Sequence, residues 1–205
     1  MNRTAPSSDE LEDLWARHHA EWRDPAQIAS QWAEAQQVDP DLLQFHVSGA
    51  WWETLAGAGI TLLVTREYEH LVMALGVREG KPSISYYCLP HPSGLVVDRA
   101  RMVVHIASTR NPNQVYDLRP VDGMIPRRDV PSTPHSDRPL VPNRSRYYPG
   151  SLYMHDLAII DGALHANAVG ENAVIRLHDD GRVERVWWPC ATETPNGPIF
   201  DRNHL

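Results

Sequence analysis

The spacing of apolar residues divides the chain into a helical beginning and a β-rich remainder. In residues 1–58, apolar side chains recur every three or four positions, which is typical of helices that bury one face. Helix start signals precede three of these segments, at Ser7 with Glu10, Asp24 with Pro25, and Asp39 with Pro40. A short helix in "GAWWETLAGAG" should end at Gly57 or Gly59. We therefore predict an N-terminal helical extension.

From residue 59 onward the pattern changes to short β-branched runs separated by Gly, Pro, Asn and Asp, which indicates antiparallel strands. The predicted strands are "ITLLVTREY", "HLVMALGV", "SISYYCL", "SGLVVD", "RMVVHIAST" and "NQVYDL", with more strands from Tyr153 to Trp188. Between them, residues 119–150 hold seven of the 17 prolines. We predict an irregular insertion there, which is a functional lid or a mobile loop.

The β-rich part contains an internal repeat. The segments "LPHPSGLVVDRARMVVHIASTRNPNQVYDL" and "LYMHDLAIIDGALHANAVGENAVIRLHDDG" each place a histidine shortly before a leucine, at His91 and Leu95 and at His155 and Leu157. Each then continues through strands separated by Asp-containing and Asn-containing turns. Four antiparallel strands in a repeated unit are typical of a propeller blade. The predicted fold is mainly β, a partial β-propeller of about three four-stranded blades over residues 59–205.

These residues also carry a resemblance to a known family. From Phe45 to Leu205, the motifs "GAWWETLAGAGITLLVTREYEHL", "PHPSGLVVDRARMVVHIASTRNPNQVYDL", "MHDLAIIDGALHANAVGENAVIRL" and "DRNHL" resemble a bacterial β-propeller-like family known as a conserved domain of unknown function. The chain is similar to the N-terminal half of that family. The resemblance implies a propeller fold, and it implies no activity and no catalytic residue.

Charge and composition narrow the partners. The 19 basic residues against 26 acidic ones give a net charge of −7, and Lys81 is the only lysine. An acidic chain without a dense arginine run argues against nucleic acid and against anionic membranes. The N-terminus lacks an apolar signal core, and Cys88 and Cys190 do not form a CxxC pair. We therefore expect a cytoplasmic protein with ordinary thiols.

The candidate site residues lie where each blade begins, because residues before the innermost strand of a blade point toward a shared channel. His91, His155 and His204 occur at these entrances, and imidazoles that converge on one axis can bind a divalent metal such as Zn²⁺ or Fe²⁺. Oxygen ligands are also available nearby, at Asp156, Asn167 and Asn203. The competing interpretation is that these side chains only cap strands or bond to neighbouring backbone.

Other residue patterns have more ordinary interpretations. We expect His105 and His165 to pack between blades, and the following residues to mark turns: Asp98, Asp161, Gly162, Asn172 and "HDDG" from His178 to Gly181. A second group of contact candidates lies in the proline-rich insertion, at Arg144, Arg146, Tyr147 and Tyr148.

Two functions stay open from the sequence. One is a binding module that recognises a small molecule or peptide at the blade-entrance channel. The other is a metal-dependent enzyme, of hydrolase or oxygenase type, that uses the channel histidines as ligands. Because three blades leave open sheet edges, we also expect self-association.

Overall fold

The structure is a computed structural model that describes residues 9, 13, 16, 26, 32–109, 113–121, 140–150 and 152–189, and the backbone of 193–194 and 197–198. Several residues named above lie outside the described part of the chain: Ser7, Glu10, Asp24, Pro25, Cys190, Asn203 and His204. The blade entrance at the end of the sequence and most of the first two predicted helices therefore stay predictions.

The helical elements follow the start and stop signals of the sequence. Residues 32–35 are helical, and a 3-10 helix, Pro40–Leu43, begins after Asp39, whose side chain accepts a hydrogen bond from the backbone N–H of Asp41 at 2.9 Å. Helix α1, Trp51–Ala58, ends at Gly59, which has φ of 63°. Of the two predicted stops, Gly59 is confirmed. Within the described residues, no helix is long and apolar enough to cross a membrane.

The described residues are mainly β, as predicted, and form three antiparallel sheets and a small hairpin. The first sheet contains β1 (Leu62–Arg66), β2 (Leu71–Arg78) and β3 (Lys81–Cys88). The second contains β4 (Pro92–Asp98), β5 (Val103–Ser108), β6 (Asn113–Pro120) and β7 (Leu140–Tyr148). The third contains β8 (Met154–Ile160), β9 (Ala163–Ala168), β10 (Ala173–Leu177) and β11 (Val183–Trp187). A 3-10 helix, Val169–Glu171, joins β9 to β10, and β12 (Glu193–Thr194) pairs with β13 (Gly197–Pro198).

The turns between these strands use the predicted residues. Asp161 and Gly162 both have positive φ, of 48° and 72°, between β8 and β9, and Asn172 has φ of 47° before β10. Positive φ at two consecutive residues is what the two-residue hairpin turn requires, which explains the Asp-Gly pair. Asp98 accepts a hydrogen bond from the backbone N–H of Arg101 at 2.9 Å. At the end of β10, the N–H of Gly181 bonds to the carbonyl of His178 at 3.1 Å.

One expectation was wrong: the proline-rich insertion contains a strand. β7 completes the second sheet by pairing with β6, and it includes Pro142. Two features explain how a proline fits. β7 is the outer edge strand of its sheet, and Pro142 lies at a register shift where Asn143 is the extra residue opposite the Asp117–Leu118 step. Proline in sheets is confined to such edge and bulge positions. Residues 122–139 of the insertion lie outside the described residues.

The second sheet is packed between the other two. Its first strand, β4, contacts both β1 and β8, and β5 also contacts β8. The approach of β4 to β8 is close, since a Cβ at Gly94 would lie 2.6 Å from the Cα and carbonyl carbon of Asp156. Gly94 is therefore required for this distance between the strands.

Two apolar clusters fill the interfaces. Between the first and second sheets lie Val72, Leu89, Val104, Ile106, Tyr116 and Leu118. Between the second and third sheets lie Ala107, Val115, Tyr148, Leu152, Met154, Leu157, Leu164, Ala166, Ala168, Ala173, Ile175 and Leu177. Each sheet therefore buries apolar residues against its neighbour in the sequence, which leaves the middle sheet covered on both faces.

Candidate functional site

A cavity of about 310 Å³ opens between the third strand of the first sheet and the last two strands of the second sheet. We call it the aromatic pocket. It is lined by Trp32, Tyr87, Leu89, Gln114, Tyr116, Leu118, Pro142, Asn143, Arg144, Ser145 and Tyr147. The three lining residues from β6 alternate along the strand, at positions 114, 116 and 118, because side chains two residues apart share one face of a sheet.

Tyr116 forms the centre of the aromatic pocket. Its ring packs edge-on against Trp32, with centroids 5.9 Å apart and planes at 88°. Only 5% of Tyr116 is exposed, and its buried hydroxyl has no hydrogen-bond partner among the described residues. Burial raises the pKa of Tyr116, so the hydroxyl stays protonated at neutral pH. A buried hydroxyl without a partner is costly, and a hydrogen bond to a ligand would remove that cost.

The rim of the pocket is polar and aromatic. Tyr147 and Tyr87 are exposed, while Gln114 is buried and accepts a hydrogen bond from the hydroxyl of Ser145 at 3.1 Å. The guanidinium of Arg144 donates to Asp117 at 3.0 Å and to Asp179 at 3.2 Å. The predicted contact residues Arg144 and Tyr147 therefore lie at the pocket, on β7 rather than on an irregular loop.

A buried charge network lies beside the pocket in the second sheet. The Asp117 carboxylate is 2.6 Å from Nδ1 of His105 and 2.8 Å from the guanidinium of Arg146. Arg146 also reaches Asp179 at 3.0 Å, and Asp179 is exposed. Asp117, His105 and Arg146 are all more than nine-tenths buried. The fourth predicted loop contact, Tyr148, is buried in the core and donates from its hydroxyl to the carbonyl of His178 at 3.2 Å.

Electrostatics hold this network in one protonation state. Burial alone would raise the pKa of Asp117, but the hydrogen bond from His105 and the charge of Arg146 lower it to about 2. Asp117 is therefore ionised at any pH near neutral. These two bonded partners, together with Arg144, compensate the desolvated carboxylate, so we assign the network a structural role in fixing β7 against β6.

A second cluster of polar side chains lies where the first sheet meets the second. Glu34, His70 and His91 each place a potential metal-ligating atom within 4.8 Å of the other two. The two imidazole rings lie 4.3 Å apart at 73°. His91 is the one predicted metal ligand in this cluster, while Glu34 and His70 have no signal in the sequence because they lie far apart along the chain.

Hydrogen bonding restricts what His70 can do. The backbone N–H of His91 donates to Nδ1 of His70 at 3.1 Å, so the neutral ring carries its proton on Nε2. Burial lowers the pKa of His70, against the charges of Glu34, Glu67 and Glu69 that raise it. A metal at Nε2 would require the proton on Nδ1, where it would face the donor of His91. Metal binding by His70 therefore costs this backbone hydrogen bond.

The other predicted entrance residues lie on the third sheet. His155 and Asp156 are exposed at the start of β8, and Asp156 pairs across the sheet with Asn167, which is exposed on β9. One carboxylate oxygen of Asp156 accepts a hydrogen bond from the N–H of Leu157 at 2.8 Å. Asp156 and Asn167 are thus brought together, but no described group of three metal-ligating atoms within 4.8 Å includes His155.

His91 and His155 are not at equivalent positions of the repeat. Leu95 and Leu157 are equivalent, and in each sheet one extra residue precedes them as a bulge. The bulge contains Ser93 and Gly94 in the second sheet, and His155 and Asp156 in the third. The equivalent of His155 is therefore Ser93.

The equivalent of His91 is Tyr153, two residues earlier than His155. Both have positive φ, of 42° and 48°. The carbonyl of His91 accepts a hydrogen bond from the N–H of Thr109 at 3.1 Å, and that of Tyr153 from Val169 at 3.3 Å. The prediction that the two histidines are equivalent was therefore wrong, since His91 lies four residues before Leu95 and His155 only two before Leu157.

A comparison with known families bears on these sites. A family model described as a domain of unknown function (DUF4915) matches residues 49–205. The chain belongs to this family. The DUF4915 region includes all three sheets, and it leaves out Trp32 and Glu34, which complete the aromatic pocket and the histidine cluster. Searches of curated proteins and of solved structures gave no match.

Proposed function

We propose that the three sheets are consecutive blades of a β-propeller and that the protein is a binding module. The packing of the sheets supports this arrangement, because β1 packs against β4, and both β4 and β5 pack against β8. The residues just before β4 and β8 also make equivalent hydrogen bonds. The ligand site in this proposal is the aromatic pocket, at the outer part of the first two sheets, instead of the blade-entrance channel.

The observation that carries the proposal is the hydroxyl of Tyr116, which is buried without a partner in a pocket lined by aromatic rings. Native proteins rarely leave such a group unsatisfied, and a ligand in the pocket that accepts from this hydroxyl would satisfy it. The pocket volume falls at the lower end of the range for small-molecule sites, which is about 300–1,000 Å³. A single ring with one polar substituent matches this volume.

The chemistry of the walls defines the ligand class. Trp32, Tyr87 and Tyr147 offer flat apolar surfaces for a planar ring, and Tyr116 offers one hydrogen-bond donor. Arg144 adds positive charge at the rim, although Asp117 and Asp179 already pair with it. The ligand in this proposal is a planar small molecule that carries a hydrogen-bond acceptor such as a carbonyl oxygen.

Benzamide and cyclohexanecarboxamide form a matched pair of probes, since they share the acceptor and differ in the planarity of the ring. In ligand-observed NMR at millimolar concentration, benzamide should bind more tightly. Tyr116→Phe should weaken benzamide binding about fivefold, the value of one net hydrogen bond. Tyr68→Phe is the control, because Tyr68 is exposed and outside the pocket. Binding that is absent, or unchanged in Tyr116→Phe, contradicts the proposal.

A metal-dependent activity is the second candidate function. The cluster of Glu34, His70 and His91 favours it, because two imidazoles and a carboxylate are a common ligand set for Zn²⁺ and non-haem Fe²⁺. The hydrogen bond at Nδ1 of His70 opposes it. This candidate places the metal at the join of the first and second sheets, instead of on an axis shared with His155.

Measuring the metal content of variants distinguishes a site at the Glu34, His70 and His91 cluster from a site at His155. The protein dialysed against Zn²⁺ and then against buffer should retain about one equivalent if the cluster is a site. Glu34→Gln combined with His91→Asn should lose that metal, and His155→Ala should keep it. Loss of zinc in His155→Ala would move the site to the blade entrance. A wild-type protein without retained zinc removes the metal candidate and leaves the aromatic pocket unaffected.

A further inference from the structure

Among the described residues, the first sheet has three strands where the other two have four, and the contacts identify which strand has no counterpart there. β4 and β8 meet start to start: the hydroxyl of Ser93 donates to the carbonyl of His155 at 3.1 Å. β1 and β4 meet end to start, since the hydroxyl of Thr65 donates to the carbonyl of Ser93 at 2.6 Å. The position of β1 relative to β4 therefore differs from the position of β4 relative to β8.

Instead, β1 lies beside β4 in the same way that β5 lies beside β8. β5 pairs antiparallel with β4, with Ser108 opposite Pro92, so the end of β5 lies beside the start of β8. The end of β1 lies in the same way beside the start of β4. By this relation β1, β2 and β3 are the second, third and fourth strands of a unit whose first strand is not among the described residues.

Hydrogen bonds to the linkers give the same equivalence independently. His70, which precedes β2, accepts a hydrogen bond from the backbone N–H of His91 in the linker to β4. Asn113, which begins β6, accepts one from the N–H of Leu152 at 3.2 Å in the linker to β8. The third strand of each unit therefore begins with a side chain that holds the entrance to the next sheet.

Burial agrees with this alignment. His70 is opposite Leu89, whose N–H bonds to its carbonyl, and Asn113 is opposite Tyr148. Leu89 and Tyr148 are both buried against the next sheet, as are Val72 and Val115, which follow His70 and Asn113 by two residues each. All of these matches require β2 to be equivalent to β6, and hence β1 to β5.

We propose that the free edge of β1 binds an extended strand of a partner polypeptide, which supplies the missing first strand of this sheet. β5, the equivalent of β1, is hydrogen-bonded on both sides, to β4 and to β6. β1 is bonded only to β2 among the described residues. The bound strand would run antiparallel to β1, as β4 runs to β5. This proposal is independent of the ligand in the aromatic pocket.

The sequence of the partner strand follows from β4 and β8. Both contain a leucine after the bulge, then two or three further apolar residues, and an aspartate at the turn: "SGLVVD" and "HDLAIID". The two described strands with this pattern, β4 and β8, already pair within their own sheets, so neither is the occupant in this proposal. The occupant we propose is an extended segment of a partner polypeptide with this pattern.

Glycine before the leucine is a specific requirement. Gly94 packs against the backbone of Asp156 so closely that no Cβ fits. The residue at the same position of the incoming strand would pack in the same way against the backbone at Gly94. The partner strand should therefore read Gly-Leu, as β4 does, in preference to Asp-Leu, as β8 does.

The composition of β1 is consistent with an edge that is covered. "LLVTR" has three apolar residues and contains no proline and no lysine, and its one charged residue, Arg66, stands at its end. Strand edges that stay exposed in native proteins are usually protected by proline, by charged residues such as lysine, or by bulges. The pairing of β1 with β2 is regular over five residues, from Leu62 to Arg66, without a bulge.

A synthetic copy of residues 89–100, "LPHPSGLVVDRA", is the probe, and the same peptide with Gly94→Val is its matched control. The labelled probe should bind the whole chain in a saturable 1:1 complex, measured by fluorescence anisotropy. The valine peptide should bind at least about tenfold more weakly because its side chain cannot fit. Hydrogen exchange should show new protection confined to β1.

Two proline variants test whether the edge of β1 is the binding site. The N–H groups of neighbouring residues in a strand point to opposite edges. Of the variants Leu63→Pro and Val64→Pro, one therefore loses a hydrogen bond to β2, and the other loses only a donor at the free edge. The variant that keeps the melting temperature should lose peptide binding by at least about tenfold.

Three results would overturn the proposal. The first is a folded protein that does not bind the Gly94 peptide, and the second is equal binding of both peptides. The third is a dimer in sedimentation whose β1 amides are protected without peptide, which would make a second copy the occupant.

Discussion

The first and second sheets are built from equivalent strands, yet they are buried to different degrees. β5 is buried at all six positions and β6 at its first six, whereas β1 is buried at none. The second sheet also contains the ionised network of Asp117, His105 and Arg146. In the first sheet, Arg66 and Glu69 form a partly exposed ion pair at 3.0 Å.

The difference follows from position in the array. The second sheet is covered by a sheet on each face, and all four of its strands are present. Among the described residues, the first sheet has a neighbouring sheet on one side only and contains three strands. Substitutions in the second sheet should therefore lower the free energy of unfolding more than matched substitutions in the first sheet. Pairs of matched variants test this difference.

The largest effect is expected from the charge network. Asp117→Asn should lower the free energy of unfolding by about 3–5 kcal/mol, because it leaves the buried charge of Arg146 without its main partner. The matched change in the first sheet, Glu69→Gln, should cost less than about 1 kcal/mol, since that pair is solvated. Urea denaturation measures both. Equal costs would show that the network is not part of the core.

Acid should weaken the same network in the wild-type protein. The pKa of Asp117 is about 2 in the folded protein, below its ordinary value of 3.8, so its contribution to stability is complete above about pH 4 and is lost as the pH falls toward 2. Between these values, the wild type should lose more stability than Asp117→Asn. Parallel curves of melting temperature against pH would contradict the assignment.

A smaller effect is expected from the packing of the first strands. Gly94→Ala should cost about 1–3 kcal/mol, because the added Cβ meets rigid backbone of Asp156. In the first sheet, Gly76→Ala is the comparison, since its Cβ would lie 3.2 Å from the hydroxyl of Thr61, a side chain that can rotate. A melting temperature that falls equally in both variants would argue against close packing of β4 on β8.

The smallest effect tests the equivalence of His70 and Asn113. His70→Ala should cost about 1 kcal/mol, the value of a hydrogen bond to a linker N–H. His70→Asn places the residue of the second sheet at this position and should recover part of that loss. If asparagine is no better than alanine in chemical denaturation, the two residues do not share a role.

The strands and turns were predictable from the sequence because they depend on local chemistry. β-branched runs ended at Asp98, at Asp161 with Gly162, and at Asn172, where the backbone requires turn residues. β7 was missed because the arginines and Pro142 in "LVPNRSRYY" are unfavourable for a central strand. They are tolerated at an outer edge, and edge position cannot be known before the sheet is assembled.

The sites were less predictable because they depend on contacts between distant residues. The alternation of Gln114, Tyr116 and Leu118 marked one face of β6, but nothing local showed that Trp32 would cover it. Likewise, Glu34 and His70 meet His91 only after the helical segment packs near the join of two sheets. Arg144 and Tyr147 were predicted as anion or aromatic contacts from a long loop. They line the aromatic pocket from β7, and the contact itself stays a prediction.

The central claim is that β1 is equivalent to β5 but, among the described residues, has no strand paired at its other edge. Hydrogen exchange of the backbone amides of β1 and β5 tests this claim most directly. The account predicts that alternate amides of β1, those that point away from β2, exchange at least about 100-fold faster than the equivalent amides of β5, which are bonded on both sides. Uniform protection along β1 in the free monomer, equal to that of β5, would contradict it.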